Sequence, residues 1–190
     1  MLENLAGTLL RNVRRMQNNL ANNSFTGIRS IHLAPNEDKP ASLEKWWDTL
    51  TLDEKKEAAE LTWLSQGSSI KHAGYGWWIS IFREIGFLTN CDASRPTKDT
   101  RLYRGCRPEL HRGMPWTTDP IAAKIFASRG TNTGTKRVYT TVAPPDAVLA
   151  IFDGKVDSSH MEGMPDIMFV REYVLDCTRI NPDLVEEYKG

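Results

Sequence analysis

Three short segments in the second half of the chain each carry one polar group suited to chemistry. Arg104 lies in the segment 102–105, Thr117 in the segment 114–118 and Glu172 in the segment 171–175. An arginine offers phosphate a planar, permanently charged fork, and a fixed carboxylate stabilises positive charge that develops in a transition state. A cation, a hydroxyl and a carboxylate are what a site needs to bind a pyrophosphate and break a glycosidic bond beside it.

Each of these side chains also has a simpler structural interpretation. A glutamate at 172 on a strand points to one face, opposite its neighbours, and a solvent-facing Glu172 paired with an arginine would fit that pattern. Arg104 could form a structural salt bridge, for which Glu172 is itself a candidate partner. The hydroxyls of Thr117 and Thr118 fit β-propensity and capping of the next helix. Gly105 would let a ligand approach the backbone beside Arg104.

The elements that must position these groups fall into two parts, and the first, residues 1–97, has helical patterning. Apolar residues at about helical spacing predict a helix between residues 2 and 16. Thr51 and Glu54 form a capping box, because a hydroxyl and a carboxylate three residues apart can satisfy free N–H groups at a helix start. The helix that they begin is predicted to run to about Gln66.

A second helix of the first part is rich in aromatic residues. The glycine and serines at 67–69 are predicted to end the preceding helix, and Trp77, Ile81 and Ile85 form the next helical stripe. Gly86 is the expected C-terminal cap. The tryptophans of this region are expected to pack in the core rather than to bind a ligand.

Residues 98–190 read as strands broken by glycine and proline, which together with the helices predicts an α+β fold. Asp119 and Pro120 begin the one predicted helix of this part, since they place a capping residue before a first-turn proline. The segment 26–33 is ambiguous between helix and strand, 35–40 is expected to be a loop, and 154–165 is expected to be a long loop that binds or gates something. The predicted strands are 102–104, 115–118, 137–142, 147–152, 169–170 and 173–175.

Composition narrows the classes of function. The 190 residues hold 24 Lys and Arg against 24 Asp and Glu, so no net charge favours nucleic acid. No apolar run approaches the roughly 20 residues of a membrane span, and the N-terminus does not resemble a signal peptide. Three cysteines and four scattered histidines lack metal-ligand spacing. We therefore expect a cytoplasmic protein without a metal and without a membrane partner.

The joint order of the three segments resembles the arginine-serine-glutamate branch of the mono-ADP-ribosyltransferase family. The similarity covers roughly residues 100–178: tyrosine-arginine-glycine, then tryptophan-threonine-threonine before a helix with Phe126, then glutamate followed by tyrosine-valine-leucine. It implies a split, mainly antiparallel sheet core. The similarity does not extend to the N-terminal half, whose helical layer we expect to pack on this core as one compact unit. NAD would be the substrate. Arg104 would hold its phosphates, Thr117 would shape the nicotinamide pocket and orient Glu172, and Glu172 would be the catalytic carboxylate.

The same resemblance implies a wider set of NAD-binding residues and a biological setting. An aromatic ring, at Tyr103 or Trp116, could stack on nicotinamide. Transfer of ADP-ribose to a macromolecular acceptor, protein or nucleic acid, would suit a phage or bacterial effector or toxin, with a possible neutralising or regulatory partner. The expected NAD-binding residues are Tyr103, Arg104, Gly105, Trp116, Thr117 and Thr118.

Two departures from the family pattern keep alternatives open. The segment 115–118 contains no serine, so the hydroxyl position has an uncertain register, and Val170 stands where many members carry glutamate or glutamine. The second departure argues against an arginine acceptor and leaves acceptors such as nucleobases. A catalytically inactive relative that acts as a binding or inhibitor module is one alternative. A structural protein that binds a partner through its tryptophan-rich half is another.

Overall fold

The computed structural model describes residues 25–66, 74–128, 136–161 and 163–189. The predicted helix between residues 2 and 16 and the predicted helix end at 67–69 lie outside the described residues. The chain divides into two compact units between Thr62 and Trp63. This boundary differs from residue 97, where the character of the sequence changes.

The described part of the first unit, from residue 25 onward, is mainly helical. Helix α1 spans Ile28–Leu33, α2 spans Lys39–Trp46 and α3, which crosses the boundary between the units, spans Leu52–Gln66. The predicted capping box begins α3: the backbone N–H of Thr51 donates to Glu54 Oε2 at 2.9 Å, and the Thr51 hydroxyl accepts from the Glu54 N–H at 3.4 Å. The predicted start of this helix and its extent to Gln66 are confirmed.

Two segments of this unit differ from the sequence prediction. The ambiguous segment 26–33 is helical from residue 28, and a 3₁₀ turn at Asn36–Asp38 runs into α2 where a loop was expected. The reason is local to α2: its second residue is Pro40, and a proline fits the first turn of a helix because the N–H groups there have no partner within the helix. Proline is therefore a helix-start signal here rather than a loop signal.

The second unit contains the remaining helices and the sheet. Helix α4 spans Gly74–Ile85 and ends at Gly86, which has the positive φ of 78° expected of a C-terminal cap. Helix α5 spans Pro120–Ser128, and Asp119 Oδ1 accepts from the Ile121 N–H at 2.7 Å, as the capping prediction requires. Both helix predictions are confirmed.

Seven strands form one sheet in the order β1-β5-β6-β3-β2-β4-β7. The pairing of β1 with β5 is parallel and the other pairings are antiparallel, so the fold is α+β with a mainly antiparallel sheet, as predicted. The strands are β1 Leu88–Thr89, β2 Thr100–Cys106, β3 Pro115–Thr117, β4 Arg137–Ala143, β5 Val148–Asp157, β6 Ile167–Leu175 and β7 Glu186–Glu187.

Strands β5 and β6 are longer than the sequence prediction. The two short pieces expected at 169–170 and 173–175 are one continuous β6, and β5 continues through Gly154 to Asp157. The loop expected at 154–165 is therefore confined to 158–166. Glycine and charged residues have low strand propensity, so the end of β5 could not be predicted from the sequence. Pairing with β6 from Val148 to Asp157 maintains the strand.

The two halves of the sheet meet at a narrow junction. Strand β2 pairs along its whole length with β4, but it pairs with β3 at a single position, Tyr103 opposite Thr117. Strand β3 in turn pairs with β6 at three positions. We call this β2–β3 junction the seam. The backbone ladder that elsewhere holds neighbouring strands together is almost absent there, so side chains must join the halves.

The structure also bears on membrane-spanning helices and on the cysteines. No helix in the described parts of the chain is long and apolar enough to cross a membrane. Cys91, Cys106 and Cys177 are free thiols.

Candidate functional site

Three side chains form a row across the seam. Tyr103 on β2 is directly opposite Thr117 on β3, and Thr117 is directly opposite Glu172 on β6. Directly paired residues of an antiparallel sheet project from the same face, so these three side chains are neighbours on one face. Segments widely separated in sequence thus bring a phenol, a hydroxyl and a carboxylate together.

Glu172 lies on an otherwise apolar stretch of β6. Its neighbours on the same face, Val170 and Val174, are both buried. Its carboxylate has one hydrogen-bond partner among the described residues: Trp63 Nε1 donates to Glu172 Oε1 at 2.5 Å. Glu172 is half-buried, and its partner is the buried Trp63 rather than an arginine, so the interpretation as a solvent-facing glutamate paired with an arginine does not hold.

Burial raises the pKa of Glu172 above its ordinary value. The hydrogen bond from Trp63 and the positive charge of Arg104 act in the opposite direction, because both favour the ionised form, but burial dominates. Asp153 shows the contrasting case: a hydrogen bond from the Arg171 guanidinium lowers its pKa. A carboxyl group with a raised pKa on an apolar surface is a frequent feature of catalytic sites.

Arg104 spans the seam instead of forming a salt bridge. Its Nη1 donates to the carbonyl oxygen of Pro115 at 2.5 Å, and its Nε donates to the carbonyl oxygen of Leu110 at 3.0 Å. The expected ion pair with Glu172 is absent between these two described residues, although the guanidinium charge still acts on the carboxylate. Side-chain donors of Arg104 thus replace the missing ladder between β2 and the start of β3.

The loop between β2 and β3 is shaped around the Arg104 guanidinium. A Cβ atom added to Gly113 would lie 2.4 Å from Arg104 Nη2 and 2.3 Å from the Tyr75 hydroxyl, so a larger residue there would displace the ends of these two side chains. Burial raises the pKa of the nearby Cys106 thiol, and the positive charge of Arg104 acts in the opposite direction. A guanidinium carries five N–H donors, and the two carbonyl oxygens of Leu110 and Pro115 are the hydrogen-bond partners of Arg104 among the described residues. Donors therefore outnumber partners, which leaves capacity for an anion.

A cavity of about 310 Å³ opens at the seam, beside the row. This volume falls within the roughly 300–1,000 Å³ typical of small-molecule sites. Three cations (Arg104, Arg107 and Lys136) and one carboxylate (Glu172) line it, so its charge favours an anionic ligand. Apolar groups from β3, β6 and α5 complete the wall, including Pro115, Trp116, Val170, Ala123 and Phe126.

The structure brings six of the seven sequence-predicted site residues to this cavity: Tyr103, Arg104, Gly105, Trp116, Thr117 and Glu172. Thr118 is exposed and is absent from the cavity wall. This outcome favours Thr117 as the hydroxyl position. The Thr117 side chain is buried, and its Oγ1 accepts a hydrogen bond from the Asp119 N–H at 3.1 Å, which orients the hydroxyl.

Three of the predicted NAD-binding residues also make structural contacts. A Cβ atom on Gly105 would lie 1.8 Å from the Ala123 carbonyl oxygen, so the glycine is required for the packing of α5 on β2. Backbone atoms of α5 already occupy the space expected for a ligand at that point. Trp116 is buried in the core, and its Nε1 donates to the Gly113 carbonyl oxygen at 2.7 Å. Tyr103 is half-buried, and its ring packs edge-on against Tyr188 with the centroids 4.9 Å apart.

Sequence reasoning missed two contributors to the site, Trp63 and Lys136. Trp63 was assigned to helix packing only, since nothing near it in sequence signals a partner 109 positions away. Lys136 directly precedes β4, and the pairing of Arg137 with Cys106 brings it to the end of β2. Arg107 also lines the cavity, whereas Arg112 lines a separate cavity of about 210 Å³.

The described residues contain no group of three or more histidine, cysteine, aspartate or glutamate side chains that could hold a metal ion. Comparisons with protein-family models, with curated proteins and with solved structures found no match. We therefore infer the function of the protein from the cavity and the residues that line it.

Proposed function

We propose that the protein is an NAD-dependent mono-ADP-ribosyltransferase whose active site is the cavity at the seam. The observation that carries the proposal is the position of Glu172. A carboxylate anchored by Trp63 stands in one row with Thr117 and Tyr103, in a cavity that also holds the Arg104 guanidinium. The sequence resemblance over residues 100–178 implies that Arg104, Thr117 and Glu172 interact with NAD.

The chemistry that these groups support is cleavage of the nicotinamide–ribose bond. The bond electrons leave with nicotinamide, and the ribose becomes an oxocarbenium-like cation that the Glu172 carboxylate stabilises more in the transition state than in the ground state. A nucleophile of the acceptor then bonds to the same ribose carbon and loses its proton. No metal is required, because the leaving group departs as a neutral molecule.

The cations of the cavity would bind the substrate rather than perform the chemistry. Arg104 has N–H donors beyond those that its described partners use, and Arg107 and Lys136 add positive charge at the same wall. A pyrophosphate is the anionic part of NAD, and a fixed guanidinium holds it while the ribose meets Glu172. The finer fold assignment, an ADP-ribosyltransferase-like split sheet, is part of this proposal and is supported by the single-pair seam.

The acceptor is proposed to be a macromolecule, protein or nucleic acid. Val170 is buried against Ala122 and Ile125, so the position where many family members carry an acceptor-activating glutamate holds a packed apolar side chain. This favours acceptors with a nucleophilic atom of their own. The resemblance further suggests a phage or bacterial effector or toxin that acts in the cytoplasm and has a neutralising or regulatory partner.

A labelled-substrate experiment tests this function and its acceptor. The protein is incubated with NAD labelled in the adenine moiety and with cell lysate, and the macromolecular fraction is then digested with protease or with nuclease. With the unmodified protein, we expect one of the two digestions to release the label and the other to leave it in the macromolecular fraction. With Glu172→Gln, we expect no label in that fraction. Equal labelling by the protein and by Glu172→Gln would contradict the proposal.

An inactive relative that binds a nucleotide without cleaving it is the second candidate. It is favoured by the two Arg104 donors committed to the carbonyl oxygens of Leu110 and Pro115, a structural arrangement that needs no substrate. Isothermal titration calorimetry with NAD, together with an assay for free nicotinamide, separates the two candidates. Binding without nicotinamide release would support the inactive relative.

A further inference from the structure

Trp63 is held rigidly where it meets Glu172. The side chain is 2% exposed, and its ring packs edge-on against Trp78 at 5.0 Å and against Phe82 at 5.4 Å between ring centroids. These contacts fix the plane of the indole, and therefore the direction of its N–H. The backbone of Glu172, at the other end of the hydrogen bond, is fixed by the pairing of β6 with β3 and β5, so that only the side-chain torsions of Glu172 remain free.

We propose that Trp63 is a positioning residue for catalysis: its indole N–H fixes Oε1 of Glu172 and leaves Oε2 for the ribose of the substrate. This inference deepens the proposed function and rests on it. A glutamate has three side-chain torsions, and loss of that freedom before the substrate arrives is worth more to turnover than to binding.

The neutral character of the donor matters for the chemistry. An arginine or lysine partner would hold the carboxylate equally well but would offset the negative charge that must stabilise the cationic ribose. The indole N–H donates one hydrogen bond, carries no charge and cannot accept a proton. The bond therefore does not neutralise the carboxylate, and it favours the ionised form that catalysis requires, against the burial that raises the pKa of Glu172.

The other charged and titratable groups around Glu172 either line the cavity or are paired elsewhere. The cavity wall contains Tyr103, Arg104 and Cys106 of β2, Arg107 after β2, and Lys136 before β4. On its own strand, Arg171 is paired with Asp153 at 2.7 Å. Of all these groups, Trp63 alone hydrogen-bonds the Glu172 carboxylate within the described parts of the chain.

Two substitutions remove the N–H and test the role. Trp63→Phe removes the donor and part of the ring, and β-(3-benzothienyl)alanine at position 63 replaces the N–H with sulfur while it keeps the two-ring shape. Trp46→Phe in α2 is the matched control, since it makes the same change at a residue that is not part of the cavity wall. Thermal melts establish which variants fold, and the sulfur analogue serves if the phenylalanine variant unfolds.

Turnover and titration then give separate readouts. We expect kcat for nicotinamide release to fall about tenfold or more in both position-63 variants with little change in KM, as for loss of a hydrogen bond to a charged group. The acidic limb of the kcat/KM profile and the ¹³C NMR titration of the Glu172 carboxyl should both move to higher pH. Trp46→Phe should alter neither.

The outcomes distinguish this inference from the proposed function. An unchanged Glu172 titration in a folded position-63 variant would overturn the positioning role, even if the protein cleaves NAD. A raised KM with unchanged kcat would also overturn it, because it would place Trp63 in substrate binding. Absence of NAD cleavage by the unmodified protein would instead reject the proposed function, and the catalytic role with it.

Discussion

The Nε1 of Trp63 donates a hydrogen bond of 2.5 Å to Oε1 of Glu172, across 109 positions of the chain. This contact places a carboxylate at the seam of the sheet without an ionic partner on it. Burial raises the pKa of that carboxyl group, and the seam leaves a cavity in front of it. The structure thus keeps a carboxyl group with a raised pKa beside a cavity, which is typical of a functional site rather than of a packing site.

Replacement of Arg104 should affect stability and substrate binding together. Arg104→Lys loses the planar fork that reaches both Leu110 and Pro115, so we expect the free energy of unfolding to fall by about 2 kcal/mol or more, as measured by urea denaturation. The KM for NAD should rise, with a smaller change in kcat, because phosphate binding acts in ground and transition states alike. Arg101→Ala, an exposed position of the same strand, is the control.

A change in KM without any loss of stability would show that the carbonyl contacts of Arg104 contribute nothing to the seam. A loss of stability with an unchanged KM would remove Arg104 from the substrate site.

Gly105→Ala should destabilise the fold through a backbone clash. The added Cβ would lie 1.8 Å from the Ala123 carbonyl oxygen and 2.5 Å from the Ala127 nitrogen, so α5 must move away from β2. Overpacking of this kind costs roughly 1–3 kcal/mol or more. Gly154→Ala is the matched control in β5, where nothing lies within 4 Å of the added atom. Thermal melts of the two variants check this prediction, and equal midpoints would contradict the close approach of α5.

Glu172 should make stability depend on pH in a particular direction. Its pKa in the folded protein is raised, so the folded state binds the proton more tightly than the unfolded state. The stabilisation from the protonated group is complete below the unfolded-state pKa of about 4.3 and is lost as pH rises through the folded-state value. The stability of Glu172→Gln relative to the unmodified protein should therefore increase from pH 4 to pH 7.

Urea denaturation of both proteins at several pH values measures that difference, in which the contributions of the other carboxylates cancel. A constant difference over this range would mean that the Glu172 pKa is the same in the folded and unfolded states.

The sequence predicted those features that are encoded within a few residues. The capping box of Thr51 and Glu54, the positive φ of Gly86 and the cap at Asp119 each depend on a local hydrogen bond or a local torsion, and all three are present. The six site residues that line the cavity were predicted from the family resemblance over residues 100–178, whose motifs follow one another in a fixed order along the chain.

Features set by tertiary pairing could not be read in the same way. The partner of Glu172 was hidden because a buried tryptophan looks the same in sequence whether its N–H bonds a carboxylate or a carbonyl oxygen. The extension of β5 through Gly154 depends on β6, and the carbonyl partners of Arg104 depend on how the following loop folds back. Gly105 was assigned to ligand access, yet its lack of a Cβ is required by α5, which only the packed structure reveals.

The most direct test of the catalytic role of Glu172 is the release of nicotinamide from NAD by the purified protein and by Glu172→Gln. Chromatography under identical conditions measures the released nicotinamide. The substitution keeps the side-chain shape and an oxygen that can accept from Trp63, but it removes the negative charge. We predict steady release by the unmodified protein and a rate lower by about 10²–10³ for Glu172→Gln, with both proteins folded. No release by the unmodified protein, or equal release by the two proteins, would contradict the claim that Glu172 is the catalytic carboxylate of an NAD-cleaving site.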